Sequence, residues 1–178
     1  MIDVRANRKI KNYTVKEYFL RFLWSIFSKT LLLIPNPLYA PKRLLLKCFG
    51  AHIGKNVHIH SSVKIMCPWN LSIGNDSAIG SGVILYCLGI VRIGERVTIS
   101  QYSHLCAGTH DYKRADRRLL KLPIDVCDDV WVCANVFIGP NVAIGSGSIV
   151  GAGSVVTREI SSRVIVQGNP AQTVRKLI

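Results

Sequence analysis

Aliphatic residues recur every six positions through most of this chain. They stand at Ile53, Ile59 and Ile65, then at Ile73, Ile79 and Leu85, then at Ile93, Ile99 and Leu105. After a break they return at Val126, Val132, Ile138, Ile144, Val150 and Val156. Six is not a helical period, and it is too long for simple strand alternation. A prism satisfies it. Each hexad supplies one short strand and one corner, three hexads close a coil, and coils stack as parallel sheets. Two extra residues at one corner give the 20-residue spacing of the Ile-Gly pairs at 53–54, 73–74 and 93–94. Five coils are expected, beginning at 53, 73, 93, 126 and 144. At about 4.8 Å per coil the stack is roughly 24 Å tall. The first residue of each hexad points inward. Alternation predicts that positions three and five do the same and that position six points out. Where a Gly, Ser or Asn follows the inward residue, it is expected to relax the backbone at the turn.

Residues 1–52 lack the repeat. Val15–Leu33 is apolar and aromatic and reads as helix; Pro35, Pro37 and Pro41 then break the chain. Lys42–Phe49 reads as a second short helix. The segment holds most of the charge asymmetry: residues 1–50 carry ten Lys/Arg against two Asp/Glu, within a chain of net charge +13. It reads either as a helical cap over the open end of the prism or as attachment to an anionic bilayer surface, and the two are compatible. The expected organisation is therefore residues 1–52, a repeat domain over 53–161 with a loop at 110–125, and a closing segment over 162–178.

Hydrophobic residues make up 49% and charged ones 19%, which excludes wholesale disorder. No stretch approaches the roughly 20 apolar residues of a membrane span. The start, MIDVRANRKIKNY, lacks an apolar run ending at a small-residue cleavage site, so no secretory signal is expected. The six cysteines form no C-x-x-C pair and read as reduced, mostly core thiols in a cytoplasmic protein, peripheral at the inner membrane surface if the first segment binds lipid. The basic residues lack interleaved aromatics on the repeat faces, which argues against nucleic acid as a partner.

The beat breaks between Leu105 and Val126, where CAGTHDYKRADRRLLKLPID is polar, basic and interrupted by proline. It should leave the prism as a loop, and loops on rigid repeats collect function. His104, His110, Trp131 and Phe137 all occupy the outward sixth slot. Large outward residues suit contact with another chain, and three prisms around an axis bring different faces together, so a homotrimer is expected. His110 begins the loop and is followed by Asp111. A histidine with an unperturbed pKa near 6.5 is a natural base.

Here the chain resembles a known family. LCAGTHDY is similar to the catalytic segment of sugar O-acetyltransferases of the hexapeptide-repeat acyltransferase family. VWVCANVFIGPNVAIGSGSIVGAGSVV is similar to their acetyl-coenzyme A channel, and GNPAQTVRKL to their closing segment. Within the family, FGAHIGKNV, CPWNLSIG and ISQYSHLCAGTHDY are most similar to colanic acid biosynthesis acetyltransferases, which modify bacterial exopolysaccharide units. The resemblance runs from Leu45 to Leu177. It implies an all-β fold, a left-handed parallel β-helix, and acetyl-coenzyme A as co-substrate with no metal. It implies His110 as general base. It places Trp131 near the site, Ala134 and Ala152 against pantetheine, and Thr157, Arg158 and Arg175 near the nucleotide and its phosphates. The implied acceptor is a sugar hydroxyl of a glycan precursor.

The chain also departs from its kin. The coil AIGSGVILYCLGI lacks the Asn and Asp with which galactoside and maltose acetyltransferases hold their sugar. It lacks the upstream Asp that orients the base in serine acetyltransferases. Either Asp111 or a backbone carbonyl must fix the ring of His110. Three other readings remain: an N-acetyltransferase on an amino-sugar nucleotide, a metal enzyme resembling γ-class carbonic anhydrases, and a non-enzymatic scaffold.

Overall fold

The computed structural model describes residues 4–178. The repeat folds as a parallel β-helix, as the six-residue beat predicts. The first coil holds β1 (His52–Ile53), β2 (His58–Ile59) and β3 (Lys64–Ile65), and the second β4 (Leu71–Ile73), β5 (Ala78–Ile79) and β6 (Ile84–Tyr86). The third holds β7 (Val91–Ile93), β8 (Thr98–Ile99) and β9 (His104–Cys106). A hairpin follows, β10 (Gly108–His110) and β11 (Leu119–Lys121). The fourth coil holds β12 (Ile124–Val126), β13 (Trp131–Val132) and β14 (Phe137–Ile138), and the fifth β15 (Val142–Ile144), β16 (Ile149–Val150) and β17 (Val155–Val156). Two strands end the chain, β18 (Val164–Gly168) and β19 (Ala171–Lys176).

Three sheets form the prism faces. The first runs β1-β4-β7-β12-β15, the second β2-β5-β8-β13-β16-β18-β19, and the third β3-β6-β9-β14-β17. All fifteen repeat positions are buried. Each such Ile, Leu or Val contributes about 1.5–3 kcal/mol by leaving water. The beat also runs further than expected. Ile160 bridges Ile144 and β18 pairs with β16, so Ile160 and Val166 begin a sixth turn. The four-residue step from Val156 to Ile160 hides this continuation in the sequence.

Two expectations about the hexad are corrected. Position three points inward only at the corner after the third face, where Cys67, Cys87 and Ala107 are buried; at the other corners it turns out, and Lys55, Gln101 and Asp128 are exposed. Position four adopts left-handed φ, as at Asn56 (53°), Asp76 (57°), Arg96 (54°) and Asp129 (60°), and this turn breaks the alternation one residue early. The glycine at position two is needed for a different reason than conformational freedom. A Cβ on Gly74 would fall 2.6 Å from the carbonyl carbon of Gly94 and 2.7 Å from the amide of Glu95. Small residues at position two let consecutive coils touch.

Inward serines at position five replace ladder bonds lost at the corners. The hydroxyl of Ser77 donates to the Gly94 carbonyl at 2.8 Å and accepts from the Val97 amide at 3.0 Å. Ser103 does the same between Cys133 and Val136.

Among the described residues four helices precede the prism: α1 (Val4–Lys9), α2 (Val15–Phe27), α3 (Thr30–Leu33) and α4 (Tyr39–Cys48). The single helix expected over Val15–Leu33 is broken at Ser28. Pro41 does not break the chain; it lies in the first turn of α4, where an amide proton is dispensable. Helices α2 and α4 cover the first coil. Leu46 is buried in its core, Trp24 donates its indole N–H to the Ile65 carbonyl at 2.7 Å, and buried Lys42 donates to Asn36 Oδ1 at 2.6 Å and Ile59 O at 3.3 Å. Of the six cysteines, only Cys67 and Cys87 are buried, not most of them; burial pushes both thiols up.

Candidate active site

The break in the repeat is an antiparallel hairpin rather than an irregular loop. Gly108 pairs with Lys121 and His110 with Leu119. It leaves the prism at the corner that follows the third face. The Asp111 amide donates to the Arg118 carbonyl, and Lys113 N–H donates to Asp111 Oδ1 at 3.0 Å, which tightens the tip.

His110 is exposed, and its Nδ1 lies 2.6 Å from the carbonyl oxygen of Arg117. A carbonyl can only accept, so Nδ1 carries the proton. The lone pair is then on Nε2. This is the tautomer a general base requires. The open choice between Asp111 and a backbone carbonyl falls, in this geometry, to the carbonyl; the Asp111 carboxylate faces its own turn. The site uses the peptide oxygen of Arg117 and not its charge. No side-chain pattern could have signalled that.

The basic cluster of the loop is partly neutralised at home. Asp116 accepts from Arg114 at 3.0 Å and from Arg118 at 3.3 Å, and the Arg114 guanidinium holds its carboxyl down at about 2. Lys121 pairs with Glu17 of α2 at 2.7 Å.

The other candidates fall in three places. Trp131 is exposed on the second face and donates its indole N–H to Ser100 Oγ at 3.0 Å. In the same outward column its strand partner is Ile149, then Ile165, then Arg175 across β19. Trp131 and Arg175 are thus three strands, or about 14 Å, apart. Ala134 and Ala152 share the next corner in consecutive coils, where the Gly153 amide donates to the Ala134 carbonyl at 2.9 Å. That corner has room: a Cβ on Gly153 would meet nothing within 4 Å. Thr157 and Arg158 are exposed at the following corner, past the third face, on the edge from which the hairpin leaves. One chain therefore brings Ala134 to Ala152 and leaves His110 and Trp131 on different edges. His104 and Phe137 are paired on the third face, as the register predicts. Among the described residues no group of three or more His, Cys, Asp or Glu could hold a metal ion.

The family model for the bacterial transferase hexapeptide (six repeats) matches residues 123–158. Over 155 residues, 87% of this chain and 85% of its relative, the sequence is 39% identical to WcaF of Escherichia coli (strain K12), which carries the name of a colanic acid biosynthesis acetyltransferase. The chain belongs to the hexapeptide-repeat acetyltransferase family. Solved hexapeptide-repeat acetyltransferases share its fold. One from Vibrio cholerae, complexed with acetyl-coenzyme A, superposes with TM-score 0.87 at 23% identity, covering 95% of this chain and 93% of that one. A maltose O-acetyltransferase of Clostridium difficile 630 superposes with TM-score 0.84 at 21% identity, covering 100% and 98%.

Proposed function

We propose that this acetyltransferase moves an acetyl group from acetyl-coenzyme A to a sugar hydroxyl of a glycan or exopolysaccharide precursor, with His110 as base. The observation that carries the reading is the 2.6 Å contact between His110 Nδ1 and the Arg117 carbonyl, which leaves Nε2 free to take a proton. The acceptor oxygen attacks the thioester carbonyl as its proton passes to Nε2. A backbone N–H holds the oxyanion. The tetrahedral intermediate then expels the coenzyme A sulfur, which takes the proton from the imidazolium. An acetyl ester and free coenzyme A result, and no acyl-enzyme forms.

The cofactor runs along the later coils, past the small corner of Ala134 and Ala152 and between Trp131, Thr157, Arg158 and Arg175. Those residues are spread over one face and two corners, and His110 leaves the prism at a corner away from the face of Trp131. This supports a homotrimer in which neighbouring chains complete each site. Light scattering at micromolar concentration tests it, and a monomer overturns the shared site.

The protein works in the cytoplasm, at the inner membrane surface. Helix α2 exposes Val15, Tyr18, Phe19, Phe22 and Ile26 along one stripe, beside exposed Lys11, Lys16 and Lys29. An apolar stripe edged by lysine suits an anionic bilayer. No helix among the described residues is long and apolar enough to cross a membrane. Mass spectrometry of cell glycans, with the parent protein and with His110→Ala, tests the acceptor class. An acetyl group that depends on His110 is the expected result.

A further inference from the structure

The hairpin that carries His110 is held by more than the prism. Helix α1 reaches it across more than a hundred residues of sequence: Asn7 Nδ2 lies 2.6 Å from the Asp116 carbonyl oxygen and 2.9 Å from that of Arg117. Helix α2 reaches its other strand, where Glu17 Oε1 accepts from Lys121 Nζ at 2.7 Å. Tyr13, between the two helices, faces the Lys121 ammonium at 4.5 Å and the Arg21 guanidinium at 4.2 Å. Glu17 also accepts from the Thr14 amide and so begins α2, which ties the start of that helix to the hairpin.

The Arg117 carbonyl is the shared element. It accepts from His110 Nδ1 at 2.6 Å and from Asn7, using both lone pairs. Arg117 itself has φ of 41°, the left-handed turn conformation also found at the corner residues Asn56, Asp76, Arg96 and Asp129. Backbone bonds close the turn on its amide side, with Arg117 N–H donating to the Arg114 carbonyl at 3.2 Å and Asp111 N–H to the Arg118 carbonyl at 3.0 Å, and the Arg117 carbonyl is held by side chains. The side chain of Asn7 grips two successive carbonyls at that point, those of Asp116 and Arg117.

We propose that Asn7 is a positioning residue for His110. It pins the Asp116 and Arg117 carbonyls, and the pinned Arg117 oxygen in turn keeps the imidazole proton on Nδ1. Without that anchor the Asp116 and Arg117 carbonyls lose their shared donor, and the orientation of the Arg117 oxygen rests on the turn's own backbone bonds alone. The ring then loses its acceptor, swivels, and places its proton on either nitrogen. Only the Nδ1–H form has the lone pair at Nε2. The inference rests on the reading of His110 as base, and it assigns the N-terminal segment a part in the chemistry besides covering the first coil.

The test uses the full chain, with Asn7→Asp, Asn7→Ala and Asn7→Gln. Asparagine to aspartate keeps the shape and removes both donors; glutamine keeps the donors. Thermal melting identifies the folded variants, and Asn7→Ala carries the test if the aspartate does not fold. The first readout is the nitrogen spectrum of ¹⁵N-histidine-labelled protein without substrate. The parent should show His110 as a single Nδ1–H tautomer, and the aspartate and alanine variants a mixture. The second readout is steady-state transfer. In those two variants kcat should fall roughly 10–100-fold with KM for acetyl-coenzyme A unchanged, as for a displaced catalytic group. Glutamine should recover part of both signals. A folded Asn7→Asp or Asn7→Ala with the parent's tautomer and kcat overturns the proposal. If the parent transfers acetyl and His110→Ala does so equally well, the assignment of the base fails instead, and the spectrum alone still decides whether Asn7 sets the tautomer.

Discussion

The imidazole of His104 stands edge-on to the ring of Phe137, with centroids 5.5 Å apart and planes at 89°. The two residues are direct partners on neighbouring coils of the third face. Tyr86 closes the other side at 6.2 Å, again edge-on. Within this aromatic slot Nε2 is buried and has no hydrogen-bond partner among the described residues.

Burial lowers the pKa of His104, so the folded state prefers the neutral ring. The unfolded chain takes up a proton near the ordinary histidine value of about 6.5. Stability is therefore whole above that pH and falls as pH drops from it toward the folded value. Glu17 behaves separately. Lys121 holds its carboxyl below the usual range, so its contribution is present above about pH 4.3 and lost below it. Melting temperature should thus fall between pH 7 and pH 5 in the parent and stay level in His104→Leu. An equal fall in both would remove His104 as the source.

His110→Ala should lower acetyl transfer by roughly 10²–10⁴, or about 3–5 kcal/mol of transition-state stabilisation. Fold and coenzyme A affinity should hold, because the ring is exposed on the hairpin. His104→Ala is the control. Loss of transfer in the control alone would transfer the catalytic role to the other histidine.

Ala152→Trp should fill the corner shared with Ala134. The residue is exposed, so the prism should melt as the parent does. Calorimetry should then show coenzyme A binding abolished. Parent-like affinity would move the channel elsewhere.

Gly74→Ala should destabilise more than Gly153→Ala. The first places a methyl 2.6 Å from backbone in the next coil; the second meets nothing within 4 Å and bears only the strain of a φ of 69°. That strain is worth about 1–2 kcal/mol. Urea unfolding of the two variants gives the order directly.

Phe19→Ser with Phe22→Ser should release the protein from anionic vesicles at low salt. Both side chains are more than half exposed, so stability should change little. Equal recovery of parent and variant with neutral and anionic vesicles would leave α2 a covering helix only.

The coils were legible in the sequence because a prism demands one buried aliphatic residue per face, and Ile53 through Val156 supply it without exception. The tight position-two corner was legible as glycine but for the wrong cause, since only the stacked structure shows Gly94 pressing on Gly74. The shared outward slot of His104 and Phe137 was legible in the beat, and the two are partners on neighbouring coils. The surroundings of His110 were not legible. They are built from a backbone oxygen of Arg117 and from Asn7 and Glu17, which belong to a segment with no repeat to place it. Contacts spanning a hundred residues leave no periodic trace.

A parallel stack has no inherent last layer; any exposed final coil is a template for another molecule. This chain fixes its own height. At one end α4 buries Leu46 beneath the first coil. At the other, the five residues of β18 would present the longest open edge, and β19 folds back along it in the opposite direction, Val164 against Lys176 through Gly168 against Ala171. The first and third faces end in a single bridge at Ile160 and in the two residues of β17, too short to recruit a stranger. The reversal of direction at β19 thus converts a fold able to grow into a fibre into a particle of set length, and leaves the sides of the prism, not its ends, for meeting other copies.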